Sequence, residues 1–347
     1  MRKTRKTLLA AIAIALAGSG SAMAETVTLT GYSGIFQDHY TKAVLEPFME
    51  KHPDITVQFY PMANSAQMLG TLRAQKSSPQ IDVAILDVSV AKAATDEGLF
   101  VPIDESVTAH VADLYPAARS KGVAGVGVTF DNLVILYNTD EVKEAPTSWE
   151  ALWDEKYAGR VVIPAVPDIQ GTTLTIIANQ MAGGGDYKES VDAGIEKLGT
   201  LAPNVQTWDP KPDVYQPIAS GQAAIGIGWN ARAQVYSQES DGKQGVALPQ
   251  EGSGFQINTI NLVKDGPASE AAKTFVDYAL SPEAQAAFTE EMFYAPTNSK
   301  AQISEQALER TAAGSMDKMI DIDWLEVAKI RDGITEQWRR RIIPLSR

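Results

Sequence analysis

Residues 226–232 read Gly226-Ile227-Gly228-Trp229-Asn230-Ala231-Arg232. Ala223, Ala224 and Ile225 stand ahead of them, so an apolar run of strand length ends in glycines and delivers Trp229, Asn230 and Arg232 at a strand-to-helix junction. In an α/β sheet that junction is where side chains meet a ligand. Asn230 suits a helix N-cap, which places Arg232 in the first turn, where the helix dipole disfavours a cation and favours an anion. An arginine set against the dipole has two explanations. Either it faces a cleft and grips a carboxylate, sulfonate or phosphonate through two parallel hydrogen bonds, or it is a solvated charge or half of a surface ion pair, which contributes little.

The pattern of strand then helix extends outward from this stretch. Glu25 to Gly31 alternates Val27 and Leu29 with polar residues and reads as a first strand. It runs into an aromatic, glycine-bearing turn, Tyr32 to Tyr40, ahead of a helical pattern through Ala43, Val44, Pro47 and Phe48. Tyr32, Phe36 and Asp38 thereby fall at a strand's carboxyl end, although Phe36 and Tyr40, at helical spacing, suit a core equally well. Ile55 to Tyr60 reads as a second strand, and Ile81 to Leu86 as a third that ends at Asp87, before a helix from Val90 to Glu97. Asp87 suits either a helix cap or a ligand contact. Strands alternating with helices at this interval predict βαβ units and a mostly parallel α/β sheet.

Gly122 to Tyr137 is strand-like but carries a polar break at Phe130-Asp131-Asn132, as expected where a chain crosses from one lobe to another. Phe255 to Val263 is the candidate return crossing. Asp168 precedes Gly171, Thr172 and Thr173, which the pattern places at a helix N-terminus, an arrangement suited to an anion or simply to capping. Trp208 and Tyr215 lead into the Trp229 stretch, and Ser269 to Leu280 and Pro282 to Glu290 read as amphipathic helices ahead of Tyr294. Asp323 to Arg341 reads as a closing helix with a solvated basic end.

Residues 1–24 have the three parts of a secretory signal: Arg2, Lys3, Arg5 and Lys6, an apolar run from Leu8 to Ala17, and Ala22-Met23-Ala24, with cleavage expected before Glu25. The apolar run is well short of the roughly 20 residues that span a bilayer. With no cysteine there is neither a disulfide framework nor the thiol of a lipid anchor, so a soluble exported protein is expected. About 320 residues remain, enough for two domains. The net charge of −13 argues against nucleic acid or anionic membrane as partner; it is compatible with a cationic or zwitterionic solute, or with solubility alone.

Several short stretches stand in a characteristic order: the Phe36/Asp38 turn, Ile81-Asp82-Val83, Trp149 followed by Tyr157-Ala158-Gly159, Ile218 to Ala224 running into Gly228-Trp229-Asn230, Glu251-Gly252, Ser281-Pro282-Glu283-Ala284 and Tyr294 to Asn298. In this order the chain resembles bacterial periplasmic solute-binding proteins of the spermidine/putrescine-binding group over essentially its whole mature length. The resemblance implies a two-lobed, type II-like periplasmic binding fold with a ligand cleft between the lobes. Expected boundaries are 25–135 with 259–300 for one lobe and 136–258 with 301–347 for the other. It further implies a monomer without cofactor that captures a small molecule in the periplasm and delivers it to the permease subunits of an ABC transporter in the inner membrane.

Carried over position by position, Phe36 and Asp38 match the family's first aromatic–acid pair, Trp229 its box residue, Tyr294 its late aromatic, and Asp168 lies near a family carboxylate. Two positions depart. Where polyamine binders carry an acid on the returning strand, this chain has Gln256-Ile257-Asn258, and its Trp-Asn pair is followed by Arg232. Losing an anion and gaining a cation disfavours a diamine by several kcal/mol, roughly, where the groups are poorly solvated. A small zwitterion is expected instead. Arg232, with the Thr172/Thr173 helix start, would take the anion; Asp38, Asp87 or Asp168 the ammonium; and Trp229, Phe36, Tyr32 and Tyr294 would wall the middle, with Trp208 and Asn258 as further candidates. γ-Aminobutyrate-like amino acids, amino-acid conjugates and aminophosphonates fit; a polyamine is the alternative. A ferric-ion binder would need clustered tyrosines, and Tyr236 has none adjacent in sequence. An enzyme is not expected, since His39, His52 and His110 form no metal motif and no Gly-x-Ser-x-Gly elbow is present.

Overall fold

The computed structural model describes residues 25–346, and the expected signal segment, residues 1–24, lies outside them. Eleven strands occur among these residues: β1 (Glu25–Tyr32), β2 (Ile55–Met62), β3 (Val83–Asp87), β4 (Phe100–Val101), β5 (Val126–Asn138), β6 (Val161–Val162), β7 (Val205–Thr207), β8 (Ile225–Trp229), β9 (Gln244–Ala247), β10 (Ser253–Val263) and β11 (Met319–Ile320). They are hydrogen-bonded in the order β2-β1-β3-β10-β5-β8-β6-β7, with β4 and β11 on β10 and β9 on β5. The outer groups are parallel, as the alternation predicts: β2 with β1 and β1 with β3 on one side, β8 with β6 and β6 with β7 on the other. The middle is not. β10 runs antiparallel to β3 and to β5, and β5 antiparallel to β8 and β9.

The two long strands β5 and β10 keep β-forming residues on both sides of their glycine and polar positions. Residues 126–132 of β5 pair with β10, whereas residues 133–138 pair with β8 and β9. The polar break Asp131-Asn132 therefore sits where the strand leaves one sheet partner for the next. Hydrophobic packing divides at the same point. Val126, Val128 and Phe130 join a core with Val27, Leu29, Ile85 and Phe275, while Leu133 and Ile135 join a second core with Trp149, Ile163, Leu174 and Ile227. A side chain at 131 or 132 thus belongs to neither apolar interior and is free to be polar.

After β1 the chain turns through Gly34 (φ 71°) into a continuous helical run over 35–51, whose middle, Thr41–Leu45, is π-helical. Pro47 lies just beyond it and has no N–H to give to the residue-43 carbonyl, which accounts for the widened turn. A long helix, Trp324–Arg341, closes the chain, capped by Asp323, whose Oδ1 accepts from Leu325 and Glu326 N–H at 3.1 and 3.2 Å. Its first turn buries Trp324 in the first core, with the indole N–H donating to the Phe255 carbonyl at 2.6 Å; its last turns bury Ile334 and Trp338 in the second, with the Trp338 N–H donating to Thr175 Oγ1 at 2.8 Å. The basic end is not wholly solvated, because Arg341 pairs with Asp192 at 2.7 Å and Glu196 at 3.2 Å. No helix among the described residues is long and apolar enough to cross a membrane.

Candidate functional site

β8 is buried along its whole length and must pass close to its neighbours. A Cβ on Gly226 would stand 2.5 Å from the Val162 carbonyl oxygen, and one on Gly228 would stand 2.8 Å from both Leu136 and Tyr215. Glycine at these two positions lets the strand carry Trp229 to its carboxyl end, opposite Leu133 of β5. The following helix, Asn230–Glu239, takes Trp229 rather than Asn230 as its cap residue. Asn230 is already helical: its amide donates to the Arg310 carbonyl at 2.8 Å, and its Oδ1 accepts from Gln234 at 3.0 Å. The cap comes instead from β5, where Asp131 Oδ1 accepts from Ala231 N–H at 3.1 Å and Asn132 N–H at 2.8 Å. A carboxylate at the positive end of the helix is also what offsets the cation in its first turn.

That cation, Arg232, is half-buried and makes no ion pair with any described residue. Burial works against its charge, but the phenols of Tyr294, Tyr215 and Tyr236 together with Asp131 outweigh it and leave the guanidinium pKa raised. Asp131 is 1% exposed, and its second oxygen, Oδ2, has no hydrogen-bond partner among the described residues. Desolvation pushes its pKa from an ordinary 3.8 to about 7, against the pull of the Asn132 and Ala231 amides and of Arg232. Tyr215 braces the junction, its hydroxyl lying 3.1 Å from Trp229 N and 3.3 Å from Trp229 O. Its ring stacks on Tyr236 at 4.8 Å, so two tyrosines distant in sequence are adjacent in space. Tyr236 donates to Asp213 at 3.0 Å and is pushed up to about 12, by burial first and then by Asp213. Both hydroxyls are therefore committed. Among the described residues no three His, Asp or Glu side chains converge as metal ligands.

Across from this junction lie the ends of β1 and β3 and the middle of β10. Asp87 N–H donates to Ser65 Oγ at 3.0 Å, Ser65 Oγ lies 2.8 Å from the Tyr32 hydroxyl, Tyr32 donates to Asn258 Oδ1 at 3.0 Å, and Asn258 Nδ2 donates to Thr129 at 3.1 Å. Asn258 stands opposite Asp87 in the β10–β3 register. Burial, then the Asp87 charge, raises the Tyr32 pKa, while Arg232 lowers it, so this one phenol lies within electrostatic range of both. Tyr294 is raised by burial and then by Asp131, and lowered by Arg232. Its ring stacks on Phe288 at 5.5 Å and meets Phe36 edge-on at 5.8 Å.

The sequence-derived candidates thus separate into two sets. Tyr32, Asp87, Trp229, Arg232, Asn258 and Tyr294 are brought to one region. Phe36 reaches it only from behind, fully buried among Tyr32, Tyr40, Phe288 and Tyr294. Asp38 is exposed on the first turn of its helix. Asp168 is a helix cap, its Oδ1 accepting from Gln170 N–H at 2.8 Å, and the helix it starts runs over Ile169–Met181. Thr172 and Thr173 consequently lie one turn inside that helix, fully buried, with hydroxyls donating back to the Asp168 and Ile169 carbonyls at 3.4 and 2.7 Å. They offer no open helix start to an anion, because the cap residue one turn earlier has taken it. Trp208 is turned toward the chain's end, bonding Ser346 at 2.6 Å and meeting Trp338 edge-on at 5.2 Å. Asp131, Ser65, Tyr215 and Gln256 are members that the sequence reading did not place in the site. Asp131 had left a signal as the polar break in an apolar strand, and Gln256 as part of the returning-strand stretch that lacks the family's acid.

Residues 43–313 match the family model described as bacterial extracellular solute-binding protein. The gamma-aminobutyric acid-binding protein of Pseudomonas aeruginosa is 24% identical over 300 residues, covering 84% of this chain and 82% of that one. The putrescine-binding periplasmic protein of Escherichia coli is 24% identical over 320 residues and 84% of each chain. Among solved structures, the spermidine/putrescine ABC transporter substrate-binding protein of Streptococcus pneumoniae superposes with a TM-score of 0.74 at 18% identity, over 91% of this chain and 98% of that one; this likeness is one of two-lobed fold.

Proposed function

The chain belongs to the bacterial extracellular solute-binding proteins, and on that premise we propose that it captures a small zwitterion, a γ-aminobutyrate-like amino acid or an aminophosphonate, in the periplasm and presents it to an ABC-type permease. Its two lobes, expected at 25–135 with 259–300 and 136–258 with 301–347, are taken to follow the two cores instead, which puts Leu133 and Ile135 with the second and Phe255 and Ile257 with the first. Closure around the solute distinguishes the loaded from the empty form for the permease. The observation that carries the reading is Arg232: a half-buried guanidinium without an ion-pair partner among the described residues, set among Trp229, Tyr294, Tyr215 and Tyr236. A guanidinium so placed binds a carboxylate or phosphonate in two parallel hydrogen bonds and rejects a purely cationic ligand. Relatives bearing γ-aminobutyrate and putrescine in their names frame the choice. Calorimetric titration of refolded, ligand-stripped protein with γ-aminobutyrate, 2-aminoethylphosphonate, putrescine and spermidine tests it. Arg232→Ala removes one partner of a poorly solvated charge pair, a loss of at least about 2 kcal/mol, or roughly 30-fold in affinity for the zwitterion. Tight putrescine binding unaffected by that substitution overturns the reading in favour of a polyamine.

A further inference from the structure

We propose that Asp87 is the residue that selects for the ligand's ammonium group, held at the lobe opposite Arg232; this rests on the zwitterion reading only for the identity of the other end. Three carboxylates were candidates in the sequence, and their surroundings differ. Asp38 is exposed, so water already satisfies it and screens any pair it forms. Asp168 is also exposed, although partial desolvation of its carboxyl raises its pKa, and its Oδ1 is spent on capping the 169–181 helix. Asp87 alone of the three is buried, at 6% exposure, with one oxygen spent and one unspent. Its Oδ1 takes the Ser89 N–H at 2.9 Å and the Ser89 hydroxyl at 2.5 Å, capping the helix over Val88–Asp96. Its Oδ2 is enclosed and has no hydrogen-bond partner of good geometry among the described residues.

Of the polar groups around Asp87, only the neutral Gln256 amide is turned toward the carboxylate, and it brings no charge to offset. Its own N–H is tied to Ser65, Ser65 to Tyr32, Tyr32 to Asn258 and Asn258 to Thr129, a chain that commits the Ser65 and Tyr32 hydroxyl protons away from Oδ2. The Gln256 amide lies beside the carboxylate and Arg331 acts on it from the closing helix; both pull the Asp87 pKa down, yet burial prevails and leaves it raised. A buried carboxylate in that state gains most from a cation that brings its own N–H donors, as an alkylammonium does with three. The phenol of Tyr32, in range of Asp87 on one side and Arg232 on the other, marks the span between the two charges. An anion-binding end and a cation-binding end in one region match a ligand carrying both charges. Asn258, opposite Asp87 in the register, can only share hydrogen bonds.

The test compares γ-aminobutyrate, butyrate and putrescine on wild type, Asp87→Asn, Asp38→Asn and Asp168→Asn. Asparagine caps a helix as well as aspartate does, so Asp87→Asn keeps an oxygen for the Ser89 contacts while removing the charge and replacing the second oxygen with an N–H donor; circular dichroism and melting confirm that each variant is folded. Wild type is expected to prefer γ-aminobutyrate over butyrate, and Asp87→Asn to lose at least about 10-fold of that preference, the size of one charge-assisted hydrogen bond, with butyrate affinity kept. Asp38→Asn and Asp168→Asn should leave the preference in place. A preference retained in Asp87→Asn, or lost equally in either other variant, overturns the proposal. Should wild type bind putrescine and not γ-aminobutyrate, the zwitterion reading fails by itself, and loss of putrescine in Asp87→Asn still upholds Asp87 as the ammonium's partner. Binding of none of the three by wild type overturns both.

Discussion

Asp131→Asn isolates the carboxylate that caps the Arg232 helix, and its effect should depend on pH in a defined way. In the folded protein burial raises the Asp131 pKa from 3.8 to about 7. Between those values the folded chain keeps a proton that the unfolded chain has released, so this group's contribution to stability is full below about pH 4, falls as pH rises, and levels off above about 7. A rise of that size corresponds to about 4 kcal/mol, an upper figure given the coupling to Arg232. Asparagine has no proton to lose and retains the oxygen that accepts from Ala231 and Asn132. The variant should therefore match wild type within about 1 kcal/mol near pH 4 and exceed it by roughly 2–4 kcal/mol near pH 8. Urea unfolding at fixed pH values from 4 to 8, without ligand, reads the difference directly, and taking the difference cancels the titration of the other carboxylates. A gap that is constant across the range, or that narrows as pH rises, refutes the account of Asp131 as a carboxyl strained by burial.

Three further outcomes follow from the same geometry. Ammonium binding needs an ionised Asp87, and since burial raises its pKa, affinity for γ-aminobutyrate should begin to fall at a higher pH on acidification than an ordinary carboxylate would dictate, a shift absent in Asp87→Asn and visible by calorimetry across pH 4 to 8. Trp338→Ala, emptying a fully buried indole site and freeing the Thr175 hydroxyl, should cost about 3–5 kcal/mol in chemical unfolding. A Cβ at Gly254 would fall 2.0 Å from Thr173 Cγ2, so Gly254→Ala should destabilise by about 1–3 kcal/mol, and adding Thr173→Ser, which deletes the clashing methyl, should recover part of the loss in a double-mutant cycle.

The sequence was most informative where structure is set locally. The glycine-ended run before Trp229 is a strand, and the residue three places on is the arginine of the site, because β8 and its helix are contiguous and the glycines are demanded by close neighbours. The long strands β5 and β10 were legible as interrupted strand-like stretches, and the break at Asp131-Asn132 marks the passage between cores. What remained hidden depends on partners far along the chain. Asn230 looked like a cap, but the cap acceptor comes from Asp131, a hundred positions earlier. Trp208 looked like a cleft aromatic, but its indole is claimed by Ser346 and Trp338. Thr172 and Thr173 were misplaced by one turn, since Asp168 and the threonines are both good caps and only the folded backbone decides between them. Asp38 and Asp87 each stand at a strand's end, and their sequences alone do not distinguish the exposed carboxylate from the enclosed one.

The closing helix gives the assembly a mechanical character that the two long strands would not. Of the two long strands, β5 runs from one core into the other, while the apolar residues of β10 from Phe255 to Leu262 all pack in the first. The helix over 324–341 is a stiff rod keyed at one end into the core that contains β10's Phe255 and at the other into the core that contains Thr175. A rod pinned in both bodies removes a degree of freedom. Rotating one core against the other would have to withdraw one of these indoles from its seat and break the hydrogen bond behind it. The helix thereby couples the two cores independently of the hydrogen bonding within the sheet.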